Sequence, residues 1–221
     1  MKVQLHELAH SPFCIPVKRI FETHNIPFET REIPAWDRRE LARLTRGAYY
    51  QVPVLECENH IVHETPEDPL AVAHFIDQQF LDGTLFPAHC TGIHEIVIGH
   101  IEDTLEGKGF KLSDPHVVDA MPDLGERVMV IRHKERSFGR GCVDRWKTDA
   151  DSLLEELNQA LQPYEKRLGR EPWLFGDSPV YADYALFGIL GNFQYGGHHT
   201  LDPQFKNLQR WQAALAEYEA G

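Results

Sequence analysis

The chain has 221 residues, 42% of them hydrophobic and 25% charged, and its 22 Lys and Arg against 34 Asp and Glu give a formal charge of −12. This is the composition of a soluble, globular, acidic chain long enough for a buried core, and its charge repels phosphate backbones and anionic lipid, so neither nucleic acid nor a membrane surface is expected as a partner. No apolar run approaches the roughly 18 residues of a membrane span, and no basic region followed by an apolar block marks a signal peptide, so a cytoplasmic location is expected.

Residues 2–8, KVQLHEL, alternate in polarity and predict a strand. Residues 12–25 then place Phe13, Val17, Ile20 and Phe21 at helical spacing, with Pro12 and Pro16 confined to the opening turn and Ser11 as the N-cap candidate. PFETREI (27–33) alternates as a second strand, AWDRRELARL (35–44) predicts a helix, and QVPVLEC (51–57) a third strand. HIVHE (60–64) is a fourth strand across the turn residues Glu58 and Asn59, and LAVAHFIDQQF (70–80) closes this half as a helix. The order β-α-β-α-β-β-α calls for one small mixed sheet with helices on its faces.

After residue 87 the strand pattern stops. Residues 91–107 carry Ile93, Ile96, Val97, Ile101 and Leu105 on one helical stripe. Helices are also predicted over 124–139, over 142–169 as one long element, over the apolar stretch 181–195, and over 203–218. Residues 107–123, GKGFKLSDPHVVDAMPD, are polar and rich in Gly and Pro, and are expected to be a long connection, either a mobile cover over a site or an exposed insertion. Two domains follow, 1–81 and 88–221, joined by a short linker.

The four cysteines, Cys14, Cys57, Cys90 and Cys142, are widely separated, which matches neither a disulfide framework nor a paired metal site and fits a reducing compartment. Among the 13 histidines, His94 and His100 are six apart on a predicted helix and so point apart. No metal is expected.

Three places invite chemistry. At the first strand-to-helix turn, Ser11 can cap the helix or donate a hydrogen bond to a bound thiolate, because unpaired N–H groups at a helix start favour an anion. Cys14, one turn further, reads either as a buried apolar side chain or as a reactive thiol. Val52-Pro53 puts a proline where a strand begins, and a cis bond there would leave the Val52 backbone free to pair with an extended ligand. In HETPED (63–68), Glu64 can pair with an ammonium and Thr65 can hold a carboxylate, or Thr65 and Asp68 can form a plain capping box.

With SPF(C), QVPVL and an acidic-hydroxyl pair in this order, followed by an all-helical half after FIDQQFLDGTLFP, the chain resembles the cytosolic glutathione transferase superfamily over essentially its whole length. The resemblance implies an α/β thioredoxin-like N-terminal domain, an all-helical C-terminal domain, and glutathione as co-substrate. SPF is similar to the serine-type classes, which implies that Ser11 activates the thiol brought by glutathione. Cysteine-type members carry their cysteine at that first position, whereas here it stands only at the fourth. PVYADYALFGILGNFQ is similar to the ADY-containing helix of the bacterial β-etherase-like and fungal etherase-like branch. Val180 stands where most classes have Ser or Thr three residues before the buried aspartate, here Asp183.

The resemblance further implies that glutathione lies extended, its cysteinyl backbone on Val52 ahead of Pro53, its γ-glutamyl end at Glu64 and Thr65, its glycine carboxylate near Gln51, and its sulfur beside Phe13. PEDP is an insertion of about one helical turn relative to the family pattern, so the following helix is expected to begin at Asp68 with Pro69 in its first position. The partner is a hydrophobic or aromatic electrophile, for conjugation or ether cleavage. It would sit between the turn at 10–14 and helices near 93–106 and 127–138, with His10, Met129, His133 and Phe138 as candidate contacts. A homodimer is implied. Two alternatives stand beside this reading: thiol-disulfide exchange at Cys14, and a non-catalytic glutathione-binding protein.

Overall fold

A computed structural model describes residues 2–220. Strands β1 (Val3–Glu7), β2 (Glu29–Glu32), β3 (Val54–Cys57) and β4 (His60–His63) form one mixed sheet in the order β2-β1-β3-β4, with β1 and β2 parallel and the other pairs antiparallel. Helices α1 (Cys14–Thr23), α2 (Arg39–Leu44) and α3 (Ala71–Phe80) complete this half. Val3, Leu5 and Leu55 pack with Val17, Ile20 and Phe21 of α1 and with Val72 and Ile76 of α3. Val54 and Val52 face the other way, against Cys14, Ile33 and Leu41 of a separate small cluster. The parallel β1–β2 pair with a crossover helix, followed by a hairpin, is the thioredoxin-like arrangement expected.

The helical half contains α4 (Thr91–Gly99), a π-helical stretch (His100–Leu105), α5 (Glu106–Ala120), α6 (Leu124–Phe138), α7 (Cys142–Thr148), α8 (Ala150–Leu168), α9 (Tyr181–Phe193) and α10 (Lys206–Glu217). At its centre, α9 is buried along almost its whole length. The linker between the halves is tied down by Asp77, whose carboxylate accepts from the N–H groups of Leu85 and Phe86.

Two expectations are corrected. Residues 107–123 are not a loop: α5 runs through them to Ala120 with Pro115 inside it. Gly, Ser, Asp and Pro disfavour helix locally, but tertiary contacts override propensity. Gly109 lies against Ile189, Ser113 Oγ donates to Asn192 Oδ1 at 2.9 Å, and the Asp114 carboxylate pairs with Lys134. The helix expected over 142–169 divides at Asp149, because Cys142, Val143 and Trp146 of α7 pack with Phe110 in a cluster of their own.

The start of α9 shows how the missing Ser or Thr at Val180 is replaced. The Asp183 carboxylate accepts from the N–H groups of Val180 and Leu174 and from Trp211 Nε1. The N–H of Ala182, which a cap hydroxyl would ordinarily take, donates instead to Nε2 of His94 from α4 at 3.1 Å. His94 is 1% exposed, between the rings of Phe86 and Phe175, and burial drives its pKa down to about 4. The neutral imidazole is thus the helix cap.

Because this folded-state value lies below the ordinary 6.5 of a histidine, the stabilisation is complete above about pH 6.5 and declines as pH falls toward 4. We expect His94→Phe to lower stability at pH 7.5 by about 1–2 kcal/mol through loss of the cap, with the difference from the native protein shrinking toward pH 4.5. Urea melts at the two pH values measure it.

Candidate active site

The turn between β1 and α1 is held from three sides. Ser11 N–H donates to Leu8 O, the Ser11 carbonyl accepts from the N–H groups of Cys14 and Ile15, and Asn192 Nδ2 of α9 donates to His10 O at 2.6 Å. Gly188 of α9 meets the turn so closely that an added Cβ would lie 2.2 Å from Pro12 O and 2.6 Å from Pro16 Cδ. The helix proper starts at Cys14 with Phe13 as the flanking residue, so Ser11 sits earlier than an N-cap. Its Oγ still accepts from the N–H groups of Phe13 and Cys14, both at 3.3 Å. These bonds use the oxygen's lone pairs and leave its proton to be donated.

A cavity of about 140 Å³ opens beside this hydroxyl. Ser11, Phe13, Gln51 and Val52 line it together, and the Val52-Pro53 bond is cis, with β3 starting only at Val54. A wider groove continues from it past Trp36 and Tyr195, sharing Leu8, His10 and Met121 with the first.

Glu64 and Thr65 lie apart from that cavity. Glu64 Oε2 accepts from Tyr49 OH at 2.8 Å, and burial raises its pKa, opposed by that bond. Thr65 and Asp68 close on each other: Thr65 N–H donates to Asp68 O, and Asp68 N–H donates to Thr65 Oγ1, each at 3.0 Å. Thr65 and Asp68 thus form a local turn, in which the Thr65 N–H meets the Asp68 carbonyl and not its carboxylate as a capping box would have it. The helix does not start at Asp68 with Pro69 first. It starts at Ala71, because the Asp68 carboxylate holds Leu70 N–H and the His74 ring and so rounds off a separate turn.

The second-substrate wall also differs from expectation. His10 and His133 line the cavity. Met129 and Phe138 do not: Met129 faces solvent, and Phe138 packs against Phe110 and Trp146. The face expected from residues 93–106 belongs instead to α5, and only Glu106 from the expected range reaches the cavity.

Several lining groups are absent from the sequence expectations. Arg38, ahead of α2, lines the cavity with a buried Nη1 that has no hydrogen-bond partner among the described residues. From α5 and α6 come Glu106, Asp114 and Lys134, so the wall is strongly charged where an apolar one was expected. Arg38 had a signal in the basic pair of AWDRRELARL. The α5 residues had one only in their four-residue spacing, which is invisible once the segment is taken for a loop.

Cys14 is fully buried among Leu8, Ile33, Leu41 and Val54, and its thiol is pushed up to about 12, mainly by burial, against the opposing hydrogen bonds of Ser11 and Leu8. The reactive-thiol reading of this residue loses its chemical basis, since the thiolate is the nucleophile.

Residues 5–80 match the family model for the glutathione S-transferase N-terminal domain, and residues 134–214 match that for the C-terminal domain. No curated protein matches the chain by sequence. Among solved structures, glutathione transferase GSTFuA3 from Phanerochaete chrysosporium superposes with a TM-score of 0.79 at 14% identity, over 100% of this chain and 98% of that one. The glutathione S-transferase CsGST63524 of Ceriporiopsis subvermispora in complex with glutathione gives 0.77 at 16%, over 99% and 98%. Glutaredoxin 2 from Salmonella typhimurium in complex with glutathione gives 0.71 at 20%, over 97% and 94%.

The burial of Cys14 is directly testable. In the native protein at pH 8, iodoacetamide is expected to modify the partly exposed Cys90 and to leave Cys14 untouched, as read by peptide mass spectrometry.

Proposed function

Because the chain belongs to the glutathione transferase superfamily, we propose that it is a serine-type transferase in which Ser11 activates the thiol of bound glutathione. One observation carries this reading: the Ser11 hydroxyl, which accepts from two backbone N–H groups, lines the same cavity as Phe13, Gln51, Val52 and Arg38, whose Nη1 has no hydrogen-bond partner among the described residues. A donor placed at a thiolate stabilises the ionised form and lowers the thiol's pKa, and the N-terminus of α1 acts in the same direction.

In this proposal glutathione lies extended across residues 1–81. Its cysteinyl backbone pairs with Val52, Pro53 fixes that segment, and Phe13 walls the sulfur. Its glycine carboxylate is met by Gln51 and Arg38, and Glu64 takes the γ-glutamyl ammonium. Thr65 can offer a ligand its hydroxyl proton but not its N–H, which donates to Asp68 O within the 65–68 turn. The electrophile, hydrophobic or aromatic, enters from the helical part, 88–221, and the thiolate attacks it, either in conjugation or in cleavage of an aryl ether of the kind the etherase-like branch suggests. The protein is placed in the cytoplasm, in keeping with its four free cysteines.

The Thr65 N–H, bonded within its own turn, favours a second reading, a protein that binds glutathione without turnover or not at all. Ser11→Ala separates the two. On the transferase reading it lowers kcat/KM with 1-chloro-2,4-dinitrobenzene by roughly 10- to 100-fold, the loss of one charge-assisted hydrogen bond, and raises the pKa of the bound thiol read from thiolate absorbance. On the second reading the native protein shows no conjugation for the substitution to remove.

A homodimer is proposed on the apolar outer face of α4, where Ile93 and Ile96 are 56% and 68% exposed beside a groove lined by Val97, Leu174 and Phe175. Sedimentation equilibrium is expected to give a dimer, and Ile96→Glu a monomer.

A further inference from the structure

A π-helical stretch, His100–Leu105, precedes α5, and the core stripe of Ile98, Ile101 and Leu105 continues through it to Gly109 and Leu112. Beyond it, Glu106, Phe110, Asp114, Val118 and Met121 follow at helical spacing and line the same cavity as Ser11. Two charges in that wall answer each other: Lys134 pairs with Asp114, and its Nζ stands 5.0 Å from the centroid of the Phe110 ring. Among the described residues Glu106 has no ion-pair or hydrogen-bond partner. A carboxyl group sheltered in a cavity opposite a thiolate-activating hydroxyl can deliver a proton.

We propose that Glu106 is the general acid of this enzyme, protonating the oxygen that receives the electron pair when the glutathione thiolate attacks, and that its electrophiles are therefore ethers with a poor, oxygen-centred leaving group. The inference rests on the transferase reading, assigns the proton donor, and chooses ether cleavage between the two reactions that reading leaves open. In the step, the thiolate sulfur forms a bond to the carbon bearing the ether oxygen, and the C–O bond breaks with its electron pair going to oxygen. The Glu106 O–H proton transfers to that oxygen, so a neutral phenol departs and a carboxylate remains. Water reprotonates the carboxylate after the products leave. Sulfur is alkylated, no group is oxidised or reduced overall, and no further reactant is needed.

Burial shifts Glu106 toward its acid form, pushing it up to about 7, with Lys134 opposing, Asp114 adding, and Lys111 and Asp103 making smaller, opposite contributions. The same cavity is lined by His10 from the β1–α1 turn, Arg38 ahead of α2 and His133 of α6. His10 and His133 are both lowered from the ordinary histidine value, chiefly by burial.

The test compares two probes on the full-length protein, an α-phenoxyacetophenone, whose phenoxide needs a proton to leave well, and 1-chloro-2,4-dinitrobenzene, whose chloride needs none. Glu106→Gln is expected to lower the ratio of kcat/KM for the phenoxy ether to that for the chloride substrate by 100-fold or more, and a urea melt like that of the native protein shows that the variant folds. With the native protein, kcat for the ether falls as pH rises through about 7, and the variant lacks that alkaline limb. Equal losses on both probes, no loss on either, or a native protein active on the chloride but not on the ether each overturn the proposal while leaving the transferase reading in place. A native protein inactive on both overturns the two together.

Discussion

The structure turns on the contact between α9 and the turn that carries Ser11. At Gly188 there is room for a hydrogen and nothing more, since a Cβ would meet the Pro12 carbonyl oxygen and the Pro16 ring at distances no real side chain tolerates. Close approach lets Asn192, one helical turn on, reach His10 O with its amide nitrogen while its amide oxygen accepts from Ser113 of α5. One side chain thereby ties the first strand-to-helix turn, the central helix and the cavity wall into a single unit. Glycine lowers helix propensity in α9, and the tertiary contact it permits outweighs that local penalty.

From that contact follows the character of the cavity. Because α5 is drawn against α9 through Gly109 and Ser113, its polar face is turned toward Ser11 instead of toward water. Charged groups brought into such a place must find partners or change protonation state. Lys134 and Asp114 take the first course and Glu106 the second. The same rule sorts the thiols and carboxyls of the N-terminal half. Cys14 is held protonated in an apolar cluster, and Glu64 keeps one hydrogen bond, from Tyr49.

Elsewhere the chain meets a fixed structural need with different atoms. A helix N-terminus requires acceptors for its first N–H groups. At α9 the side chain that ordinarily supplies one is a valine, and an imidazole from α4, far away in sequence, takes its place. At α3 the PEDP residues build a turn closed by Thr65 and Asp68, and the helix starts only at Ala71. The first exchange preserves the fold. The second alters what the loop can offer a ligand, because an N–H bonded inside a turn is not free to bind a carboxylate.

The sequence by itself determined the class of each half, the order of strands and helices in the first, and the residues around Ser11, Phe13, Gln51 and Val52. Those signals are local: polarity period, proline position and turn chemistry act over a few residues, and the fold preserves them. Only the tertiary structure decided that residues 107–120 are helix, that Phe138 turns away to Trp146, that His94 caps α9, and that Arg38, Glu106 and Lys134 share a cavity with Ser11. Each of these depends on a contact between segments far apart in the chain, and propensity carries no term for a neighbour that folding alone supplies.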